Sequence, residues 1–231
     1  MSPAVLLFGV GGALGSAIGG HLAADGFEVH TAGTTRWDSA ASHLHLPYDT
    51  VCEAASFRSL PIFDAVVWAQ GLNCSDSVAT YDFADIQRLL QGNVLFIASS
   101  LQALLAAGRL KSGSRLVVVS SIWQLESRPG KFSYTVSKAA LQGLVKSCAL
   151  DLGPSGILIN AVLPGVVDTP MTRAHLSPEQ MAAITSQSAL GRLPQPADIA
   201  SAVAFLVSQS NRCITGQFLT VDAGFIGLKH A

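Results

Sequence analysis

Charge is scarce in this chain. Of its 231 residues only 13% are Asp, Glu, Lys or Arg, and 14 basic side chains face 15 acidic ones for a net charge of -1. So neutral a chain has no field to gather a nucleic acid or an anionic membrane surface, and neither is expected as a partner. Cysteine is sparse as well. Cys52, Cys74, Cys148 and Cys213 show neither C-x-x-C nor metal-ligand spacing. That argues against a zinc site or a disulfide framework and for thiols in a reducing compartment. No apolar run reads as long enough to span a bilayer. Met1-Ser2-Pro3 leads directly into a strand-like run, without a basic start or a cleavage site, so the expected location is the cytoplasm. Repeats, linkers and low-complexity segments are missing too, which makes one domain over residues 1–231 the economical reading.

What the chain has is apolar material, 49% of its residues, arranged in two alternating periods. Short apolar runs predict strands over 4–9, 27–32, 43–46, 64–69, 115–120, 157–163 and 218–221. Helical spacing predicts helices over 13–24, 83–90, 93–107, 134–152 and 196–209. The runs at 64–69 and 115–120 are almost continuously apolar, as in a parallel sheet covered on both faces. The alternation predicts an α/β fold, a doubly wound parallel sheet of Rossmann type.

Two motifs carry chemistry. The first run ends in Gly9-Val10-Gly11-Gly12-Ala13-Leu14-Gly15 and passes into helical spacing. Strand, glycine turn and helix are the context of a dinucleotide-binding fingerprint, where glycines let the backbone approach a pyrophosphate and the helix N-terminus favours its charge. The second motif is Tyr134 and Lys138, four residues apart in a predicted helix and so on one face. Ser121 precedes the tyrosine by thirteen residues. An ammonium beside a phenol favours the phenolate, so the Tyr134 pKa is expected to fall from its ordinary value toward working pH, making it a general acid/base.

With these motifs in order and spacing, the chain resembles the short-chain dehydrogenase/reductase family nearly end to end. The resemblance adds Asn93 in Gln91-Gly92-Asn93, the segment Pro164-Gly165-Val166-Val167-Asp168-Thr169-Pro170-Met171, and the C-terminal Thr215-Gly216 and Asp222-Ala223-Gly224. It implies a catalytic set of Asn93, Ser121, Tyr134 and Lys138. It implies cofactor contacts from Gly9, Gly11, Gly12, Leu14 and Gly15, from Asp49, from Ala69, Gln70 and Gly71, from Tyr134 and Lys138, and from Pro164, Gly165, Val167 and Thr169. In reduction Ser121 and Tyr134 would hold the carbonyl oxygen and Tyr134 would donate the proton. Lys138 would bind the nicotinamide ribose, and Asn93 would hold a water linking Lys138 to solvent. Val167 and Thr169 would fix the nicotinamide carboxamide. Residues 170–192 would form a substrate lid of short helices that order on binding.

The chain also departs from the family. Phe8 stands where a threonine is common, Trp68-Ala69-Gln70-Gly71 replaces Asn-Asn-Ala-Gly, and the stretch from Gly33 to Asp64 is short, so one or two helices there must be trimmed or absent.

The residues after the second strand, Thr34, Thr35 and Arg36, include no acid to accept a ribose 2′-hydroxyl. Two hydroxyls and a guanidinium instead suit a 2′-phosphate, so NADP(H) is favoured, with NAD(H) the alternative. Trp123, Leu125, Phe132, Val166, Met171 and Leu176 suggest an apolar pocket for a small carbonyl or alcohol substrate, and Arg128 and Arg173 are read as surface residues. His43 and His45 alternate on a strand and are read as structural, because two ligands do not make a metal site. A pteridine-type reductase, an NADH-dependent alcohol dehydrogenase and a nucleotide-sensing protein without activity are the alternatives. Enoyl reductases of the family tend to a wider Tyr–Lys spacing. By resemblance the assembly is a homotetramer, with a dimer second. Ala139, Ala140, Leu144 and Val145 are read as outer positions of the Tyr134 helix, and Phe225-Ile226-Gly227-Leu228 as an apolar tail at an interface.

Overall fold

The computed structural model describes residues 2–227, with only the backbone of His175 described. Seven parallel strands form one sheet in the order β3-β2-β1-β4-β5-β6-β7. They are β1 (Ala4–Phe8), β2 (Glu28–Gly33), β3 (Ser42–His45), β4 (Phe63–Trp68), β5 (Leu110–Val119), β6 (Leu158–Pro164) and β7 (Phe218–Val221). The order reverses between β1 and β4, which opens a crevice at the carboxyl ends of the strands, where open α/β sheets bind ligands. Each predicted strand is present within a few residues, apart from β5, which starts at Leu110 rather than 115.

Alternation along the strands divides the core in two. Val5 and Leu7 of β1 face the side covered by α1 (Ala13–Ala24) and α8 (Pro196–Val207). Leu6 and Phe8 face the other side. There lie the short α2 (Ala54–Phe57), then α3 (Phe83–Leu90), α4 (Phe96–Ala106) and α5 (Phe132–Leu152). The lid segment holds α6 (Pro170–His175) and α7 (Pro178–Gln187). These are the short helices expected there, and a capping box at Ser177 and Gln180 starts α7.

The sequence suggested a break at Gln91-Gly92. The chain instead stays helical through a wide π turn, Gln91–Leu95, that joins α3 to α4. The joined helix spans 24 residues, and an 18-residue window of it has mean hydropathy 1.5, so by length and composition it could cross a membrane, against the reading that no run was long enough. Half of that window is buried in the molecule, with Leu89, Phe96, Ile97 and Leu104 in the core, so packing already accounts for its apolar character.

The two departures at Phe8 and Trp68 explain each other. The residues are register partners across β1 and β4 and stack with ring centroids 5.8 Å apart and planes 3° from parallel. Phe96 meets Phe8 edge-on at 5.6 Å, Tyr48 meets Phe96 edge-on at 5.0 Å, and Trp68 Nε1 donates to Ser100 Oγ at 2.9 Å. This aromatic plug fills the layer that the short Gly33–Asp64 stretch leaves thin. Residues 34–41 contain no helix, and α2 is a single turn.

Candidate active site

Positive φ at Gly9 (84°) opens the turn after β1. A side chain there would run into the backbone of Gln70, and one at Gly15 into the Gly9 carbonyl. The turn therefore packs directly on the loop after β4, and no side chain occupies the N-cap of α1, whose cap is Gly12. A Cβ at Gly11 would meet Thr35 Oγ1 at 2.7 Å, so Thr35 lies against the turn. Thr34, Thr35 and Arg36 are exposed, as is Asp49. Arg36 makes no ion pair among the described residues. Ala69 is half-buried, Gly71 exposed and Gln70 buried.

At the other end of the crevice, β5 runs into Ser121, which is 7% exposed and caps a 3₁₀ turn, accepting from Trp123 N at 3.3 Å. Tyr134 and Lys138 lie one turn apart on α5, which begins at Phe132 rather than at the tyrosine. Lys138 is 3% exposed and donates to the Val119 carbonyl at 3.3 Å, with its Nζ 5.7 Å from the Tyr134 ring centroid. A Cβ on Gly71 would lie 3.5 Å from Lys138 Nζ and 3.9 Å from Asn93 Oδ1, so only a glycine width separates these groups.

The expected fall in the tyrosine's pKa is corrected here. Burial pushes Tyr134 up to about 12, and the Ser121 hydrogen bond opposes that only in part. The same burial brings Lys138 down to about 8. Spacing showed that the two groups meet. It did not show that the ring and the ammonium share a pocket that disfavours charge on either.

Asn93 is buried between the loop after β4 and α5. Its Oδ1 accepts from Leu72 N at 2.7 Å, and its Nδ2 donates to Leu72 O at 3.0 Å and Ser137 Oγ at 3.0 Å. The side chain pins the loop after β4 to α5 and keeps one lone pair of Oδ1 for a further donor.

Around the crevice, Pro164 ends β6, and Gly165 donates to the Val221 carbonyl at 3.0 Å. Val167 is buried, and the Thr169 hydroxyl caps α6, accepting from Thr172 N at 3.1 Å. Of the apolar candidates, Trp123, Phe132, Val166 and Leu176 are half-buried, whereas Leu125 and Met171 stand 50% and 68% exposed. Arg128 lies over the Trp123 ring at 5.8 Å, and Arg173 forks onto Asp168 at 2.6 and 2.8 Å, so both are surface residues as expected. His43 bonds Thr31 within the sheet, and no cluster suited to a metal ion occurs among the described residues. Val145 is fully buried, contrary to its reading as an outer position, because α5 turns it onto the sheet. Ala139 and Ala140 do face outward. Leu228 lies outside the described residues. One cation went unnoticed in the sequence: Lys131, whose Nζ is 5.6 Å from the same tyrosine ring. Its position three residues before Tyr134 was the available signal.

The family model described as enoyl-(acyl carrier protein) reductase matches residues 52–226. An uncharacterized oxidoreductase, YmfI, of Bacillus subtilis is 31% identical over 242 residues, covering 97% of this chain and 99% of that protein. A cyclopentanol dehydrogenase of a Comamonas species is 35% identical over 70% of this chain and 65% of its own length. Among solved structures, a short-chain dehydrogenase family protein of Francisella tularensis superposes with a TM-score of 0.89 at 25% identity, covering 99% of this chain and all of that one. A blue fluorescent protein from a metagenomic library, solved in complex with NADPH, superposes at 0.87 with 26% identity, covering 97% and 98%.

Proposed function

The chain belongs to the short-chain dehydrogenase/reductase family and is an oxidoreductase, and from that premise we propose that it transfers a hydride between NADP(H) and a carbonyl or secondary alcohol on a small, mainly apolar substrate. One observation carries the reading: Ser121 at the end of β5 and Tyr134 and Lys138 on α5 meet at the carboxyl end of the sheet beside Gly71, with the lysine buried and, among the described residues, no acid near enough to neutralise it.

The residues present fit a dinucleotide. Gly9, Gly11 and Gly15 let the turn close tightly against Gln70, Thr35 and its own backbone, which side chains there would push apart, and the bare start of α1 suits a pyrophosphate. Gly12, Leu14, Ala69, Gln70, Gly71, Pro164, Gly165, Val167 and Thr169 complete that surface. Lys138 would hold the ribose, and Asp49 the adenine amine. Arg36 with Thr34 and Thr35 would hold a 2′-phosphate, which favours NADP(H), and the NADPH-bound neighbour supports that choice. When bound, the nicotinamide supplies or accepts the hydride.

The chain's own residues handle the proton. The Ser121 hydroxyl donates to the substrate oxygen and fixes its position. The Tyr134 hydroxyl, protonated at neutral pH, donates its proton as that oxygen gains charge. Lys138 then sits beside a new phenolate, and its ammonium stabilises that charge where water is largely excluded. In oxidation every transfer reverses, so alcohol oxidation should gain with rising pH while carbonyl reduction does not need it. The spacing of four between Tyr134 and Lys138 favours carbonyl over enoyl reduction.

Trp123, Phe132, Val166 and Leu176, with Met171 and Leu125 at the rim, form an apolar surround, and the cyclopentanol dehydrogenase relative supports a small cyclic ketone or alcohol as the first probe. The test is a parallel fluorescence titration with NADPH and NADH, followed by turnover of cyclopentanone and related ketones. Tighter NADPH binding with ketone reduction is expected. Tighter NADH binding would remove Arg36 from the phosphate site, and no turnover with any carbonyl or alcohol probe would favour a nucleotide sensor.

A further inference from the structure

Lys131 sits at the N-cap of α5 and is 7% exposed. Its ammonium donates to Asn73 Oδ1 at 2.9 Å and to the Cys74 carbonyl at 3.2 Å. The same loop is tied again by Asp76, whose Oδ1 accepts from Ser133 N at 3.0 Å and whose carbonyl accepts from Phe132 N at 3.4 Å. A buried lysine is costly and needs a reason. A tie between loop and helix is one, but an uncharged donor would serve that purpose without the desolvation.

The position of the charge supplies another reason. Lys131 precedes Tyr134 by three residues and Lys138 follows it by four, so along the helix they lie on opposite sides of the tyrosine. Their ammonium groups are 5.6 and 5.7 Å from the ring centroid, each within reach of a cation–ring attraction. The two distances are nearly equal, so neither lysine is clearly the closer partner. We propose that Lys131 is a second cation serving Tyr134, a positioning residue that holds the ring together with Lys138 and favours its charged form. This rests on the reading of Tyr134 as the acid/base.

The groups facing the pair are few. Ser121 and Lys138 face Tyr134. Arg128 opposes the charge of Lys131, and Asp76 and Cys74 support it, while burial lowers the Lys131 pKa overall. Lys131 therefore gives up its charge at lower pH than an exposed lysine does, and Asp76 and Cys74 limit that loss.

The chain has three tyrosines, Tyr48, Tyr81 and Tyr134. Tyrosine carrying several ring fluorines ionises several pH units below tyrosine, which brings the Tyr134 midpoint down from about 12 toward the range where Lys138, at about 8, still holds its charge, so ¹⁹F resonances of protein labelled throughout report each phenol in the free protein. The Tyr134 resonance is the one lost in Tyr134→Phe. Lys131→Met is expected to raise its midpoint by about half a unit or more, a roughly threefold change in the ionisation constant, as loss of a cation at this range predicts. Lys131→Arg should restore it, and Lys138→Met gives the benchmark. Lys131→Gln, which keeps a donor to Asn73, is the second variant if methionine unfolds the loop, and it should shift the midpoint in the same direction. A wild-type midpoint in a folded Lys131→Met or Lys131→Gln protein would overturn the proposal and leave Lys131 a loop tie. Absence of turnover would remove the hydride-transfer reading while leaving this titration intact, so the two failures are distinct.

Discussion

The crossover from β4 to β5 is a continuous helix of 24 residues, and that from β5 to β6 is built on one of 21. The crossover from β2 to β3 contains no helix, and that from β3 to β4 only the four residues of α2. The thick half carries Asn93, Ser121, Tyr134 and Lys138, all held in place by burial and by bonds from several elements. The thin half carries Thr34, Thr35, Arg36 and Asp49 on exposed loops over an aromatic plug. The difference teaches where precision is needed. Proton transfer demands fixed geometry, whereas a phosphate needs only a reachable charge. Substitutions in the thick half should therefore change the reaction, and those on the surface of the thin half only the preference between cofactors.

The sharpest way to break this comparison is to attack the plug, the buried aromatic layer beneath the exposed loops of the thin half. Trp68→Ala removes a fully buried ring stacked on Phe8 and a hydrogen bond to Ser100, and should cost about 3–5 kcal/mol in chemical denaturation. A cost no larger than a surface change would mean that the thin edge is not supported by these rings.

Next comes Lys138→Met. The folded pKa of Lys138 is about 8, below its ordinary value of 10.5. Between those values the unfolded chain binds more protons, so stability should rise with pH across that window. Below pH 8 the full penalty applies, of the order of 3 kcal/mol. The methionine variant should melt higher than wild type at pH 7 and lose that slope, as Tm measured against pH would show. An unchanged slope would assign the pH dependence elsewhere.

The smallest effect expected is that of Arg36→Ala. Its NADPH affinity should fall roughly tenfold, from loss of one charge-assisted fork, with NADH affinity and melting temperature nearly unchanged. Equal loss for both cofactors would place the guanidinium away from the 2′-phosphate.

The same contrast governs what the sequence could reveal. Strands and helices were legible because apolar runs and helical spacing are local signals, and the glycine turn was legible because a backbone that must pass so close to Gln70 admits nothing larger. The π turn was not, since Gln91-Gly92-Asn93 looks like a break and becomes continuous only when Asn93 ties to Leu72 and Ser137. Phe8 and Trp68 read as two separate departures, because the register that stacks them joins residues sixty apart. Tyr134 was found by spacing, but its upward pKa shift depends on burial, which spacing does not report. Val145 was assigned to the wrong side of α5, where a run of small residues left the phase of the helix ambiguous.

The most direct measurement compares wild type with Tyr134→Phe in one experiment, with NADPH binding followed by nicotinamide fluorescence and turnover by loss of nicotinamide absorbance with cyclopentanone. The account predicts equal binding and a fall in turnover of about 10²–10⁴-fold, the range for losing a general acid. Turnover near wild type in the phenylalanine variant would contradict it.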